Sequence, residues 1–237
     1  MQQYFIKDEL KINEVIELDE TILHHIKVVL RKHDGYVFRL IDTKRNIYMA
    51  ELKGNSGLIK EEILEDHELP VNITVVMSLI KNDKFDLTLQ KLTELGVKCI
   101  VPYIAKRSVI KVKDEDKKLE RYRKIVQEAS EQCHRSVVPE IPAIIEMNDI
   151  EEYKSQFNFI AYEKEKTDPL PFREVDQSAT IIIGPEGGFE LSEIEYFEEH
   201  GFECKTLGKR ILRAETAAIF IMSNFVGVNE LWKHTQH

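Results

Sequence analysis

IIIGPEGGFELSEIE, residues 181–195, runs from an apolar strand through a glycine turn into a helix. The run ATIIIG (179–184) has no polar alternation, which is the pattern of a strand covered on both faces. The chain then turns through Pro185, Glu186, Gly187 and Gly188. Ser192 followed by Glu195 reads as a capping box before IEYFEEH, and Gly201 as the stop of that helix. In an open α/β sheet, ligands bind outside the carboxyl ends of the strands, where glycine lets backbone approach the ligand. The turn is therefore a candidate pocket edge, with Gly187 the position expected to tolerate no branched side chain. It matches neither GxGxxG nor GxxxxGK[ST], and the acids around it would repel a polyphosphate, so the pattern speaks against dinucleotide and nucleoside triphosphate sites. The competing reading is a plain turn with two glycines.

A second stretch, TLGKRILRAETAAIF (206–220), lies just downstream. Gly208 permits a sharp turn, and Arg210 and Arg213 flank two apolar residues. Glu215 and Thr216 lead into a helix of small residues. Because Leu207, Gly208, Ile211 and Leu212 interleave the charges of 205–213, the segment should lie partly in the core with its arginines aimed at an anion. A carboxylate, a phosphate or the oxygens of a base would suit two arginines beside a turn. The alternative is an internal ion pair of Arg213 with Glu215 or Glu186.

Outward from these stretches the chain divides near Pro70. Residues 1–70 read as a small barrel-like module with strands at 36–42, 46–52 and 56–64, and one helical patch at 21–32. Residues 71–237 alternate strands with helices, as an α/β layer does. Strands are expected at 71–80, 99–105, 157–163 and 179–184. One helix carries Phe85, Leu89, Leu92 and Leu95 before Gly96. Another carries Leu119, Tyr122, Val126, Ala129 and Cys133, and a last one begins near Glu215.

The 237 residues are 43% hydrophobic and 32% charged with a net charge of −9, which suits a globular chain with a real core. No apolar run approaches the roughly 20 residues of a membrane span. The start, MQQYFIKDEL, lacks the pattern of a secretory signal, so a cytoplasmic protein is expected. Cys99, Cys133 and Cys204 form no CxxC pair and read as free core thiols. No metal cluster is visible, and His24, His25 and His134 read as surface or packing residues. The charge is unevenly spread. Residues 98–124 carry ten Lys/Arg against four acids, whereas 139–203 carry 17 acids against four bases. A basic patch on an acidic chain points to a local anionic partner, although Lys117, Lys118, Arg121 and Lys124 also fit a solvated helix face.

GPEGGF followed about twenty residues later by LGKRILRAETAA resembles the paired signature of the RsmE family, the uridine-N3 ribosomal RNA methyltransferases of the SPOUT superfamily. QKLTELGVKCIVPYIAKRSV (90–109), RYRKIVQEASEQCHRSVVPEI (121–141) and HHIKVVLRKHDGYVFRLID (24–42) are similar to further segments of that family, so the resemblance covers nearly the whole chain. Val137 and Thr43 depart from it where a basic residue and a glycine are common.

The resemblance implies an α/β SPOUT domain with a C-terminal trefoil knot at 71–237, an exception to ordinary threading, preceded by a PUA-like RNA-binding barrel at 1–70. It implies S-adenosylmethionine as cofactor, small-subunit (16S) ribosomal RNA as substrate, and a homodimer. The cofactor cleft would comprise Ala161, Tyr162, Glu163, Gly184, Glu186, Gly187, Gly188, Leu207, Gly208, Ile211, Leu212 and Arg213. The RNA contacts would be Arg31, Arg107, Lys117, Lys118, Arg121, Lys124 and Arg135. Ala217, Ala218, Ile221 and Phe225 of the final helix would pack against the twin. Uridine N3 is a poor nucleophile until it loses its proton, so Arg213, then Arg210, are the candidates to stabilise the anionic base, with Glu186 or solvent as proton acceptor. Methylation of a ribose 2′-oxygen or a tRNA base, and a non-catalytic RNA-binding protein, are the competing readings.

Overall fold

In the structure, a computed structural model that describes residues 1–108, 110 and 112–232, the chain forms two compact units. The first comprises Met1–Glu68 and Ser130–Val137; the second comprises Leu69–Ala129 and everything after Val137. A division at residue 70 thus leaves out one return of the chain. Arg135 explains that return. It is 3% exposed, its Nε and Nη2 donate to Glu68 Oε2 at 3.0 and 2.6 Å, and its carbonyl accepts from Gln3 Nε2 at 2.8 Å. A guanidinium and carboxylate withdrawn from water in this way hold only if they remain paired.

The first unit is a five-stranded sheet. β1 (Gln3–Phe5) runs parallel to β3 (Val37–Ile41), and β3, β4 (Ile47–Lys53), β5 (Ser56–Ile63) and β2 (Val15–Glu17) follow as antiparallel neighbours. The turn between β3 and β4 is set by Asp42, whose Oδ1 accepts from the backbone N–H groups of Lys44 and Asn46 at 2.8 and 2.9 Å. Phe38, Leu40, Ala50, Leu52 and Ile59 form the core with Ile26. The helical patch is shorter than its periodicity suggests. α1 (Glu20–His24), capped by Asp19, widens into a π-type turn at His25–Val29 and ends where Arg31 takes φ +54°. Val28 and Val29, both β-branched, disfavour continuation.

The second unit is a five-stranded, all-parallel sheet in the order β10-β8-β9-β6-β7. The strands are β6 (Asn72–Ser78), β7 (Cys99–Tyr103), β8 (Phe157–Ala161), β9 (Ser178–Ile183) and β10 (Glu203–Lys205). Helices cover both faces, so the longer strands are mostly apolar, while the short edge strand β10 reads Glu203-Cys204-Lys205. Val75, Ile181 and Ile183 face the side packed by α2 (Asn82–Glu94), α3 (Glu115–Cys133) and α5 (Ala214–Val226). Val76, Ile160 and Ile182 face α4 (Leu191–Glu199). Gly96 ends α2 at φ +83°. Among the described residues no helix is long and apolar enough to cross a membrane.

Two local expectations change. The capping box of α4 is Glu190 with Glu193, not Ser192 with Glu195. Glu193 is fully buried and accepts from Tyr103 Oη at 2.5 Å, Lys106 N at 3.1 Å and Glu190 N at 2.9 Å. Those three donors commit the carboxylate inward and fix the helix start two residues ahead of a Ser192 box. On α5, Ala217, Ala218, Ile221 and Phe225 are buried in this chain's own core, and Phe220 is the large residue left partly exposed. The cysteines are free, and burial pushes the Cys99 thiol up to about 12.

Candidate functional site

Register makes the site. Lys205 pairs with Ala161 and Ala161 with Ile183, so β10, β8 and β9 end in one row and their outgoing loops emerge side by side. Together with the start of α5 these loops enclose a cavity of about 500 Å³.

The loop after β9 is the braced wall. Gly188 N donates to Pro185 O at 2.9 Å, and Gly188 has φ +68° with the Glu163 carboxylate 3.0 Å from where a Cβ would stand. A Cβ on Gly184 would meet the Phe189 ring at 2.9 Å. Gly187 is the less constrained glycine. Its Cβ position lies 3.4 Å from Arg107 Cβ, and Arg107 Nη1 donates to Gly187 O at 3.3 Å. Against the protein's own neighbours, Gly184 and Gly188 are thus the tighter positions. Glu186 lines the cavity, and its Oε1 lies 3.4 Å from Lys84 Nζ.

The loop after β10 is held mainly at its root. Thr206 N donates to Asp168 O at 2.8 Å and Gly208 N to Thr206 Oγ1 at 3.2 Å. Leu207 and Leu212 are half-buried against the core, but Ile211 is 78% exposed. Arg210 and Arg213 are exposed too, and among the described residues neither forms an ion pair. The expected anchoring of this segment in the core is therefore only partial, and the carboxylates offered to Arg213 go elsewhere: Glu186 and Glu215 both approach Lys84. Arg213 is the N-cap residue of α5 without a side-chain bond to the helix.

The loop after β8 carries Tyr162 and Glu163 and is closed by Glu165. The Oε1 atom of Glu165 accepts from the N–H groups of Thr167, Asp168 and Lys166 and from Thr167 Oγ1, which holds the carboxyl down to about 2. Lys205 Nζ bolts the loop to β10 through Asp168 Oδ2 at 2.7 Å.

All twelve residues expected in the cleft line this cavity, as does Arg210. Sequence reasoning missed Lys166, Ile183, Pro185, Thr206, Ala214 and Ala217, which also line it. Thr206 and Ala214 adjoin motif residues and were within reach of the sequence; Lys166, in an acidic segment, offered no signal. The expected RNA contacts are scattered. On α3, Arg121 pairs with Asp86, Lys118 donates to Asn82 Oδ1 at 3.2 Å and Lys124 approaches Glu128 at 3.8 Å, while Lys117 is exposed. Burial lowers the pKa of Lys118. Arg107 backs the glycine loop, and Arg31 is exposed in the first unit. Arg135 is committed to Glu68 and presents no free guanidinium face at the surface. Among the described residues no group of three His, Cys, Asp or Glu is arranged for a metal.

Comparison with known proteins places this geometry in a family. The family model for the RNA methyltransferase domain matches residues 67–226. The chain is 33% identical to ribosomal RNA small subunit methyltransferase E of Mesomycoplasma hyopneumoniae (strain 232), over 95% of this chain and 99% of that one. It is 31% identical to the protein of that name from Bacillus subtilis (strain 168), over the full length of both. Among solved structures, ribosomal RNA small subunit methyltransferase E from Neisseria gonorrhoeae bound to S-adenosyl methionine superposes with a TM-score of 0.86 at 30% identity, covering 96% of this chain and 98% of that one. A putative methyltransferase from Legionella pneumophila, in complex with the bound cofactor SAM, gives 0.86 at 28% identity, covering 95% and 96%. The chain belongs to the ribosomal RNA small subunit methyltransferase E family.

Proposed function

We infer that this protein uses S-adenosylmethionine to methylate N3 of a uridine in 16S ribosomal RNA. The observation that carries the reading is the cavity at the ends of β10, β8 and β9, in a family whose members include the cofactor-bound Neisseria enzyme. The lining fits the cofactor. Its volume lies within the range of small-molecule sites. The apolar flanks of Ala161, Ile183, Leu207 and Leu212 suit adenine, and Gly184 and Gly188 stand where a side chain would fill the cradle. The first turn of α5 offers backbone N–H groups to a carboxylate.

When bound, S-adenosylmethionine supplies the methyl group from its sulfonium. The chain's own residues hold the uracil in line with that methyl, because displacement depends on geometry first. Arg213, with Arg210 beside it, stabilises the negative charge that spreads to the base oxygens as N3 loses its proton, and Glu186 accepts that proton. Arg31 in the first unit, and Arg107, Lys117, Lys118, Arg121 and Lys124 in the second, contact phosphates, so RNA affinity should fall as salt rises.

The first unit acts as a PUA-like RNA-binding barrel and the second as a SPOUT domain whose C-terminal segment forms a trefoil knot. The protein works in the cytoplasm as a homodimer. Exposed Phe220, Leu231 and Trp232, at 37%, 65% and 47%, support a dimer face along the end of the chain.

Calorimetry with S-adenosylmethionine on the full chain, followed by transfer of labelled methyl to 16S ribosomal RNA and nucleoside digestion, tests the reading. Binding and 3-methyluridine are expected. A folded protein that binds no cofactor, or label on ribose, would overturn it.

A further inference from the structure

Lys84 stands in the first turn of α2, where the helix dipole favours an anion over a cation. Lys81, the N-cap residue, adds a second positive charge there. Local preference therefore opposes a lysine at this position; Asp83 in the same turn offsets part of that charge, and the rest of the compensation comes from elsewhere in the fold. Two carboxylates supply it: Nζ lies 3.4 Å from Glu186 Oε1 and 3.4 Å from Glu215 Oε1. One belongs to the glycine loop and the other to the first turn of α5. They are at most twice that distance apart, and the ammonium is the cation between them.

The two carboxylates are not equivalent. Glu186 lines the cavity; Glu215 does not, although its neighbour Ala214 does. Glu215 is only 13% exposed, and among the described residues its Oε2 is buried without a hydrogen-bond partner. Both contacts exceed the 2.7–2.9 Å typical of a committed charge-assisted hydrogen bond. The ammonium is shared rather than owned, and the buried carboxylate keeps an unused acceptor.

We propose that Lys84 is a positioning residue of the methyl transfer, an ammonium shared by Glu186 and Glu215 that sets the glycine loop against the start of α5 and passes to Glu215 when a cationic ligand group engages Glu186. This rests on the functional reading above, since S-adenosylmethionine carries two positive centres, the sulfonium and the α-ammonium. A cation arriving at Glu186 competes with Lys84, and the free oxygen of Glu215 receives the displaced ammonium. Arg213 lies two residues before Glu215, so the same shift adjusts the arginine assigned to the anionic base.

The test uses the full chain, calorimetric affinity for S-adenosylmethionine, and single-turnover methyl transfer to 16S ribosomal RNA at saturating cofactor. Lys84→Met should slow transfer about tenfold, a loss within the range of coupled charge pairs, with a smaller change in cofactor affinity. Lys84→Arg should restore most of the rate. Adding Glu215→Gln to Lys84→Met should cost little more, because the partner is already gone. A lysine with only a structural role would lower the melting temperature and spare the saturated rate, and its loss would multiply with that of Glu215→Gln; either result overturns the proposal. Should Lys84→Met fail to fold, Glu215→Gln alone decides. It should weaken cofactor binding severalfold by holding the ammonium on Glu186, and unchanged affinity overturns the proposal. A wild-type protein that neither binds the cofactor nor transfers methyl refutes the functional reading instead.

Discussion

The loops after β9 and β10 form facing parts of one cavity and are built on opposite principles. The glycine loop is fixed from several sides: Phe189 lies close beside Gly184, Glu163 faces Gly188, and Arg107 and Lys84 grip Gly187 and Glu186. The loop at 206–213 is tied at Thr206 and then leaves Ile211, Arg210 and Arg213 to solvent, with nothing within 4 Å of a Cβ on Gly208. One wall is preorganised and the other adaptable. A rigid wall suits a ligand of constant shape such as a cofactor, whereas an arginine-bearing loop with few contacts suits a large substrate that must be seated on each turnover.

The largest effect should come from the adaptable wall. Arg213→Ala is expected to lower the single-turnover rate by about two orders of magnitude, the cost of losing one oxyanion donor. Cofactor affinity should stay within about threefold, as befits a group that acts on the transition state. The melting temperature should hold, because the side chain makes no cap bond to α5. Arg213→Lys should recover only part of the rate, since an ammonium lacks the planar fork. If affinity collapses while saturated turnover survives, Arg213 belongs to the cofactor seat and the contrast between the walls fails.

Next comes the braced wall. Gly184→Val must push against the Phe189 ring and should weaken cofactor binding by about 10- to 100-fold, the overpacking cost of 1–3 kcal/mol. Gly208→Ala meets no neighbour and carries only the strain of φ +110°, about 1–2 kcal/mol, so isothermal titration should find a loss smaller than that of Gly184→Val. Equal losses at the two glycines would show both loops to be equally rigid.

The smallest effect concerns the loop after β8. The hydrogen bonds from Thr167, Asp168 and Lys166 depress the Glu165 carboxyl from 4.5 to about 2. The folded turn thus binds its proton less readily than the unfolded chain, so its stabilisation is complete above about pH 4.5 and is lost as pH falls toward 2. Protection of the Thr167 and Asp168 amides, measured as exchange relative to the intrinsic rate at each pH, should fall across that window in the wild type, and Glu165→Gln should flatten the dependence.

Much of the second unit is legible from local pattern. The uninterrupted apolar runs at β6 and β9 announce a sheet covered on both faces, and Phe85, Leu89 and Leu92 spell out the buried stripe of α2. In the first unit the turn residues mark the antiparallel β3-β4-β5 meander. Other features have no local signature. β10 is three residues, ECK, with a lysine at its buried end, and β1 and β2 are as short. Arg135 is a charged residue that would be expected at the surface, yet it is buried because Glu68 meets it from 67 residues away.

The sequence by itself determined most element types and the two glycine turns, and the motifs with the resemblance they carry marked most but not all of the residues that line the cavity, because apolar period, glycine and motif are local properties of the chain. Only the tertiary structure decided that Ala161, Ile183 and Lys205 stand in one row and that Lys84 lies between Glu186 and Glu215. It also decided that Arg213 faces solvent instead of an internal carboxylate. Strand order and charge pairing depend on which distant segments share the same few ångströms, and in a parallel sheet no hairpin records that order in the chain.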